Sequence, residues 1–160
     1  MAQVTNIYLR PSSRTPVREA LSVEARAGRG LEGDHARGGN RQISLIEKEA
    51  WQAVCHDLAR ENLAAGRRRA NVVVEGFSLA AAIGRRIRIG DCVVDVVAEL
   101  RPCKLMEDVA PGLMRALSPH GRGGAYGRIL QSGRIEVGAP VEMLAGQIAA
   151  DEQTRKGVRI

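Results

Sequence analysis

The sequence predicts a β-rich fold, a barrel of short strands with a few peripheral helices. Three observations predict it. Apolar and polar residues alternate over short runs, as in Val4 to Leu9, Leu21 to Ala27 and Arg86 to Val94. Turns built on glycine or proline separate those runs. Only one long stretch carries a helical period, so strands do not alternate with helices as a βαβ fold requires. Closure into a barrel would leave no strand edge exposed. The chain has 160 residues, enough for one core. Residues 1–145 are read as one domain, followed by a polar tail, 146–160.

Val4 to Leu9 is the first strand and Pro11 to Arg14 a turn-rich break. In the second strand Leu21, Val23 and Ala25 alternate with Ser22, Glu24 and Arg26. The run from Gly28 to Arg41 opens with G-x-G-x-x-G, but a polar, glycine-rich loop follows in place of the helix that a dinucleotide site needs. Glycine in such a loop allows the backbone to approach a ligand closely. Gln42 to Ile46 begins as a strand, and Ser44 with Glu47 matches a capping box for a helix running to about Leu63. Trp51, Val54, Cys55 and Leu58 share one face of that helix, which makes Cys55 a core residue, and Gly66 closes it. Val72 to Val74 is a strand entered through Arg67, Arg68 and Arg69, a place from which one arginine can point inward. Leu79 to Ile83 reads as one helical turn.

Arg86 to Val94 and Arg134 to Glu142 share a pattern of strand, glycine turn and strand, and both read as hairpins. Cys92 opens a strand and belongs to packing. Gly112 to Leu117 reads as a short helix. Ser118 to Arg128 is a second Gly/Arg loop, whose successive backbone amides can form an anion-binding nest. Ile129 and Leu130 then continue a strand, and Gln131 to Gly133 turn it into the next hairpin.

Composition narrows the function. Aromatic residues make up 2% of the chain, namely Tyr8, Trp51, Phe77 and Tyr126, so there is no stacking platform for single-stranded nucleic acid. No helix-turn-helix or zinc finger is present either, and a nucleic-acid partner is not expected. The net charge of +6 is carried almost entirely by arginine, which suits bidentate recognition of carboxylate or phosphate. Three cysteines without C-x-x-C spacing argue against a disulfide scaffold and a zinc ribbon. Asp34 and His35 are adjacent in a loop and make a weak ligand pair, so no metal is assigned to them. The first ten residues lack a signal core, and no apolar run approaches ~20 residues, so a cytoplasmic protein without a membrane partner is expected.

The chemistry concentrates at Arg101-Pro102-Cys103-Lys104. A thiol that leaves a strand, is held by proline and is flanked by two cations has what reactive sulfur needs, because cations favour the thiolate.

The motifs in order resemble the MOSC family, named from the molybdenum cofactor sulfurase C-terminal domain. They are Gly30-Leu31-Glu32-Gly33-Asp34, Arg41-Gln42-Ile43-Ser44-Leu45-Ile46, Asn71-Val72-Val73-Val74-Glu75-Gly76, Ile89-Gly90-Asp91, Pro102-Cys103 and Gly123-Gly124-Ala125-Tyr126-Gly127. The chain departs from the family at Gly138-Ala139, where Gly-Asp is more usual. The resemblance implies a MOSC-type β-barrel with Cys103 as the functional thiol.

Two activities follow from the resemblance. In the first, Cys103 holds a persulfide received from a pyridoxal-phosphate-dependent cysteine desulfurase and delivers its sulfur to metal–sulfur or molybdenum cofactor sites, as a sulfurtransferase does. In the second, the chain binds the molybdenum cofactor with Cys103 as metal ligand and is a component of a reductase for N-hydroxylated compounds, fed by separate electron-transfer proteins. Arg41, Arg69, Asn71, Gly123 and Gly124 are the candidates for holding the cofactor's phosphate, and Arg101 and Lys104 for stabilising the thiolate. The oligomeric state, monomer or homodimer, stays open.

Overall fold

A computed structural model describes residues 1–147, so the tail expected from 146 lies almost wholly outside the described residues. The strands are β1 (Gln3–Leu9), β2 (Arg18–Ala20), β3 (Ser22–Arg26), β4 (Gly30–Leu31), β5 (Ile43–Glu47), β6 (Val72–Glu75), β7 (Arg85–Ile89), β8 (Cys92–Glu99), β9 (Ala125–Gln131), β10 (Gly133–Glu136) and β11 (Val141–Gln147). The helices are α1 (Lys48–Asp57), α2 (Leu79–Ala82), α3 (Leu105–Val109) and α4 (Leu113–Leu117), with 3-10 turns at Ala65–Arg68 and Pro119–Gly121. Eight strands form one sheet in the order β11-β7-β8-β9-β5-β6-β1-β2, and β10-β3-β4 form a second. Among the described residues only β5 and β6 pair in parallel, with α1 among the residues that cross between them. Among the described residues no helix is long and apolar enough to cross a membrane.

Period-two alternation divides the core in two. Ile7 and Leu9 of β1, Ile43 and Leu45 of β5, and Val72 and Val74 of β6 pack inside the curved sheet with Ile87, Val94, Ile129 and Ile135. Tyr8, Ile46 and Val73 point the other way, onto Trp51, Val54 and Cys55 of α1, Met106 of α3, and Leu113 and Leu117 of α4. Full burial of such a side chain is worth about 1.5–3 kcal/mol. The second cluster therefore holds the short helices against the sheet, and helices of this length have little stability of their own.

The fold is strand-rich with few helices, as expected; among the described residues no closed barrel is found. The chain comes near closure at an isolated bridge between Gln3 and Pro140. There the Val4 amide donates to Ala139 O at 2.9 Å, Gly138 N to Val4 O at 2.8 Å and Val141 N to Ala2 O at 3.1 Å.

Several local expectations are corrected. Residues 134–142 are not a hairpin: β10 pairs with β3 and β11 with β7. Ser44 caps no helix, because α1 starts at Lys48 and Ser44 is buried within β5. The helix ends at Asp57, and Ala59 turns the chain at a φ of 53°. Leu21 does not face the core and is 81% exposed. Tyr126 to Arg128 belong to β9 and not to a loop. The short elements β2, β4 and α3 carry no period long enough to be read from the sequence.

Candidate functional site

Cys103 lies where β8 has ended and α3 has not begun. Its residue is exposed, whereas Cys55 and Cys92 are buried. Burial pushes the Cys92 thiol up to about 12. The Cys103 carbonyl accepts from Met106 N at 2.9 Å, which starts the turn into α3. The Glu107 carboxylate accepts from Gly112 N at 3.1 Å and from Met114 N at 3.0 Å, tying α3 to the start of α4. The loop that carries the thiol thus emerges from a buried strand and enters a helix pair packed on the outer core.

Two arginines from distant segments, Arg68 and Arg41, approach this loop. Arg68 is buried in the 3-10 turn before β6. Its Nε donates to Gly123 O at 3.2 Å, its Nη2 to Leu100 O at 2.9 Å, and its Nη1 approaches Met106 Sδ at 3.9 Å. Burial, then the nearby Arg41 charge, lowers its guanidinium to about 10, with Cys103 acting in the opposite direction. Arg41 itself is lowered by desolvation and by Arg10, while Cys103, Tyr126 and Asp34 favour its charge. Arg41 is nonetheless exposed, and among the described residues its guanidinium has no hydrogen-bond or ion-pair partner, so it is open to an anion from solvent.

Behind this cluster stands a buried ion pair. Asp34 Oδ1 accepts from Arg10 N at 2.7 Å, Arg10 Nε at 3.2 Å and Asn71 Nδ2 at 3.0 Å. Its Oδ2 accepts from Arg10 Nη2 at 2.9 Å and Ala36 N at 3.1 Å. Burial alone would push the Asp34 carboxyl up; the hydrogen bonds and charge of Arg10, with the Ala36 amide, outweigh it and hold the group below its ordinary value.

The residues singled out from the sequence fall into three groups. Cys103, Arg41 and the Gly123 backbone gather around Arg68. Asn71 and Arg69 support the site from behind. The Asn71 amide donates to Tyr8 O and Asp34 and accepts from Ser44 N and Ser44 Oγ, so its side chain is committed to the fold. Arg69, at a φ of 66°, donates to Thr15 O at 2.6 Å and Ser12 O at 3.1 Å. Burial, then Arg10, lowers its guanidinium. Arg101 and Lys104 are exposed on either side of the thiol.

Gly123 and Gly124 are required for close packing. A Cβ on Gly123 would collide with Leu100 O, and one on Gly124, whose φ is +101°, with Leu45 O. The Gly124 amide already donates to Gly121 O, so it is not part of an open nest.

Leu105, Met106 and Val109, just beyond the thiol, form one wall of a cavity of about 610 Å³; Ser13, Arg14 and Arg69 form the other. Such a volume suits a small organic ligand. Arg10, Asp34 and Arg68 were not selected from the sequence as site residues. Arg68 carried a faint signal, an arginine run at a strand entrance, and Asp34 stood in the glycine loop; Arg10 gave none.

The model of the MOSC domain family matches residues 32–142. No curated protein matches the chain. Among solved structures, the YuaD protein from Bacillus subtilis is similar with a TM-score of 0.75 at 18% identity, over 92% of this chain and 98% of that one. YiiM from Geobacillus stearothermophilus has a TM-score of 0.74 at 20% identity, over 99% and 84%. YiiM from Escherichia coli has 0.70 at 17%, over 99% and 77%. At these identities the likeness is one of fold.

Proposed function

This chain belongs to the MOSC domain family, and from that premise we propose that it binds the molybdenum cofactor, with Cys103 as the thiolate ligand and the neighbouring arginines as the seat of the cofactor's phosphate. The observation that carries the reading is the pairing of two exposed groups: the Arg41 guanidinium, which has no protein hydrogen bond or ion pair among the described residues, and the Cys103 thiol whose charge it feels, with buried Arg68 behind them. A cation in that position favours an anion from outside, and guanidinium is suited to phosphate. A soft thiolate suits molybdenum, so the donor set fits the group. When bound, the cofactor supplies two-electron chemistry at its metal. The protein's own part is to present one sulfur, to bind the anionic end through Arg41, and to offer the adjoining cavity to the organic portion or a substrate.

The role is that of a reductase component, and electrons come from separate electron-transfer proteins. The ladder is taken as barrel-like, with the bridge between Gln3 and Pro140 as its seam. Pterin fluorescence released on denaturation tests the phosphate seat. Wild-type protein from a host that makes the cofactor carries the pterin, and Arg41→Ala loses most of it. Equal pterin in both proteins would remove Arg41 from the account.

A second reading is favoured by one observation, the exposure of Cys103. As a sulfur carrier, the Cys103 thiolate attacks the terminal sulfur of a desulfurase persulfide. The donor cysteine leaves as thiolate, and Cys103 becomes the persulfide. An accessible thiol suffices for that exchange; the adjoining cavity and the unpaired Arg41 are not needed. Intact mass after incubation with a cysteine desulfurase and cysteine detects one added sulfur, absent from Cys103→Ser, if this reading holds.

A further inference from the structure

Arg68 is a buried cation whose hydrogen-bond partners are two carbonyls and a thioether, with no carboxylate among the described residues. Burying a guanidinium without a counter-ion is costly, and an apolar side chain of similar length would fill the space more cheaply. Stability alone therefore does not account for it. Its contacts are distributed around the thiol: Leu100 precedes Cys103, Met106 follows it, and Gly123 lies on the facing loop. The Leu100 amide also donates to Gly124 O at 2.8 Å, so the two segments are sewn together on both sides. Of the groups that act on the Arg68 charge, Cys103 is the one that favours it.

We propose that Arg68 is a positioning residue for Cys103: one guanidinium ties the chain before the thiol and the chain after it to the Gly123 carbonyl, and so fixes the sulfur in front of a buried cation. Only a planar fork reaches three acceptors at once; a lysine ammonium keeps the charge and loses the geometry. The need for close approach at Gly123 follows from the same arrangement, since a side chain there would part Leu100 from its neighbours.

The inference rests on Cys103 being the working sulfur and not on what that sulfur binds. It is tested on the full chain with Arg68→Lys and Arg68→Met. The rate of iodoacetamide alkylation is followed by intact mass, well below each variant's melting temperature. Cys55 and Cys92 are buried, so the label reports Cys103. Both variants are expected to react about threefold or more slowly than wild type, because the sulfur is no longer held in place. A core variant on the same layer, Val73→Ala, lowers stability and leaves the alkylation rate unchanged. A residue acting only through stability would behave as Val73 does. Folded Arg68→Lys and Arg68→Met proteins that alkylate at the wild-type rate would overturn the proposal; if Arg68→Met does not fold, Arg68→Lys decides it alone. The measurement contains no molybdenum, so failure of the cofactor reading leaves its result interpretable.

Discussion

Replacing Asp34 by Asn should be among the most damaging isosteric changes in this protein. The carboxylate is fully buried and its partner Arg10 has a side chain 8% exposed. Five hydrogen bonds end on the two oxygens, three from Arg10 and one each from Ala36 and Asn71. An amide keeps one acceptor oxygen and turns an NH2 towards donors. The Arg10 guanidinium is then left buried without a counter-charge. Breaking a buried pair from one side costs about 3–5 kcal/mol, or roughly 10 °C or more in Tm for a chain of this size.

Thermal and urea unfolding of wild type and Asp34→Asn measure that loss. The sign with pH follows from the lowered Asp34 carboxyl. Its contribution is complete above the unfolded carboxyl's value and fades as pH falls through the lower folded one. The gap between the two proteins should therefore be constant from neutral pH down to about pH 5 and shrink below about pH 4. A loss under about 1 kcal/mol at pH 7, or a gap that widens in acid, would show that this network does not hold the glycine loop.

Other outcomes follow from the same packing. Gly124→Ala should destabilise by about 2 kcal/mol or more, because it adds a collision with the β5 backbone to a left-handed φ; chemical denaturation measures it, and a change within about 0.5 kcal/mol would contradict it. Ser44→Ala takes an acceptor from the Asn71 backbone amide and a donor from the Asn71 side-chain oxygen and should cost about 1–2 kcal/mol, where loss of a mere helix cap would also lower α1 helicity; circular dichroism should show α1 unchanged. In the folded protein one cysteine in three should alkylate readily, and that adduct should map to Cys103; fast labelling of Cys92 would contradict its burial.

Much of the strand framework was legible because alternation alone decides which face is buried. The hairpin of β7 and β8 shows it, where Gly90 at a φ of 59° makes the two-residue turn between Ile89 and Cys92, whereas β6 was legible as an unbroken apolar run, Val72 to Val74, buried on both faces. Residues 134–142 carry the hairpin's local pattern and fold differently. Pro140 has no amide to donate across a turn, and β1 takes the Gly138 amide and the Ala139 carbonyl instead. The pattern was local; the partner was not. Ser44 and Glu47 have capping-box spacing, but parallel pairing with β6 keeps Ser44 extended and gives its hydroxyl to Asn71.

The site divides in the same way. Cys103 was legible because proline and two cations stand next to it in the chain. The pairing of Arg10 with Asp34, and the approach of Arg41 and Arg68 to the sulfur, depend on segments that only the folded sheet brings together. Arg69, chosen for its place in the arginine run, is turned towards the Ser12–Thr15 loop, while its neighbour Arg68 points inward.

Cys103 and the arginines around it are proposed to form a seat for the molybdenum cofactor. The most direct measurement is molybdenum per chain, by elemental analysis, in wild type and Cys103→Ala purified from a host that makes the cofactor. Close to one molybdenum per wild-type chain and a large loss in the variant are expected. Wild-type protein free of molybdenum, or a variant that retains as much as wild type, would contradict the proposal.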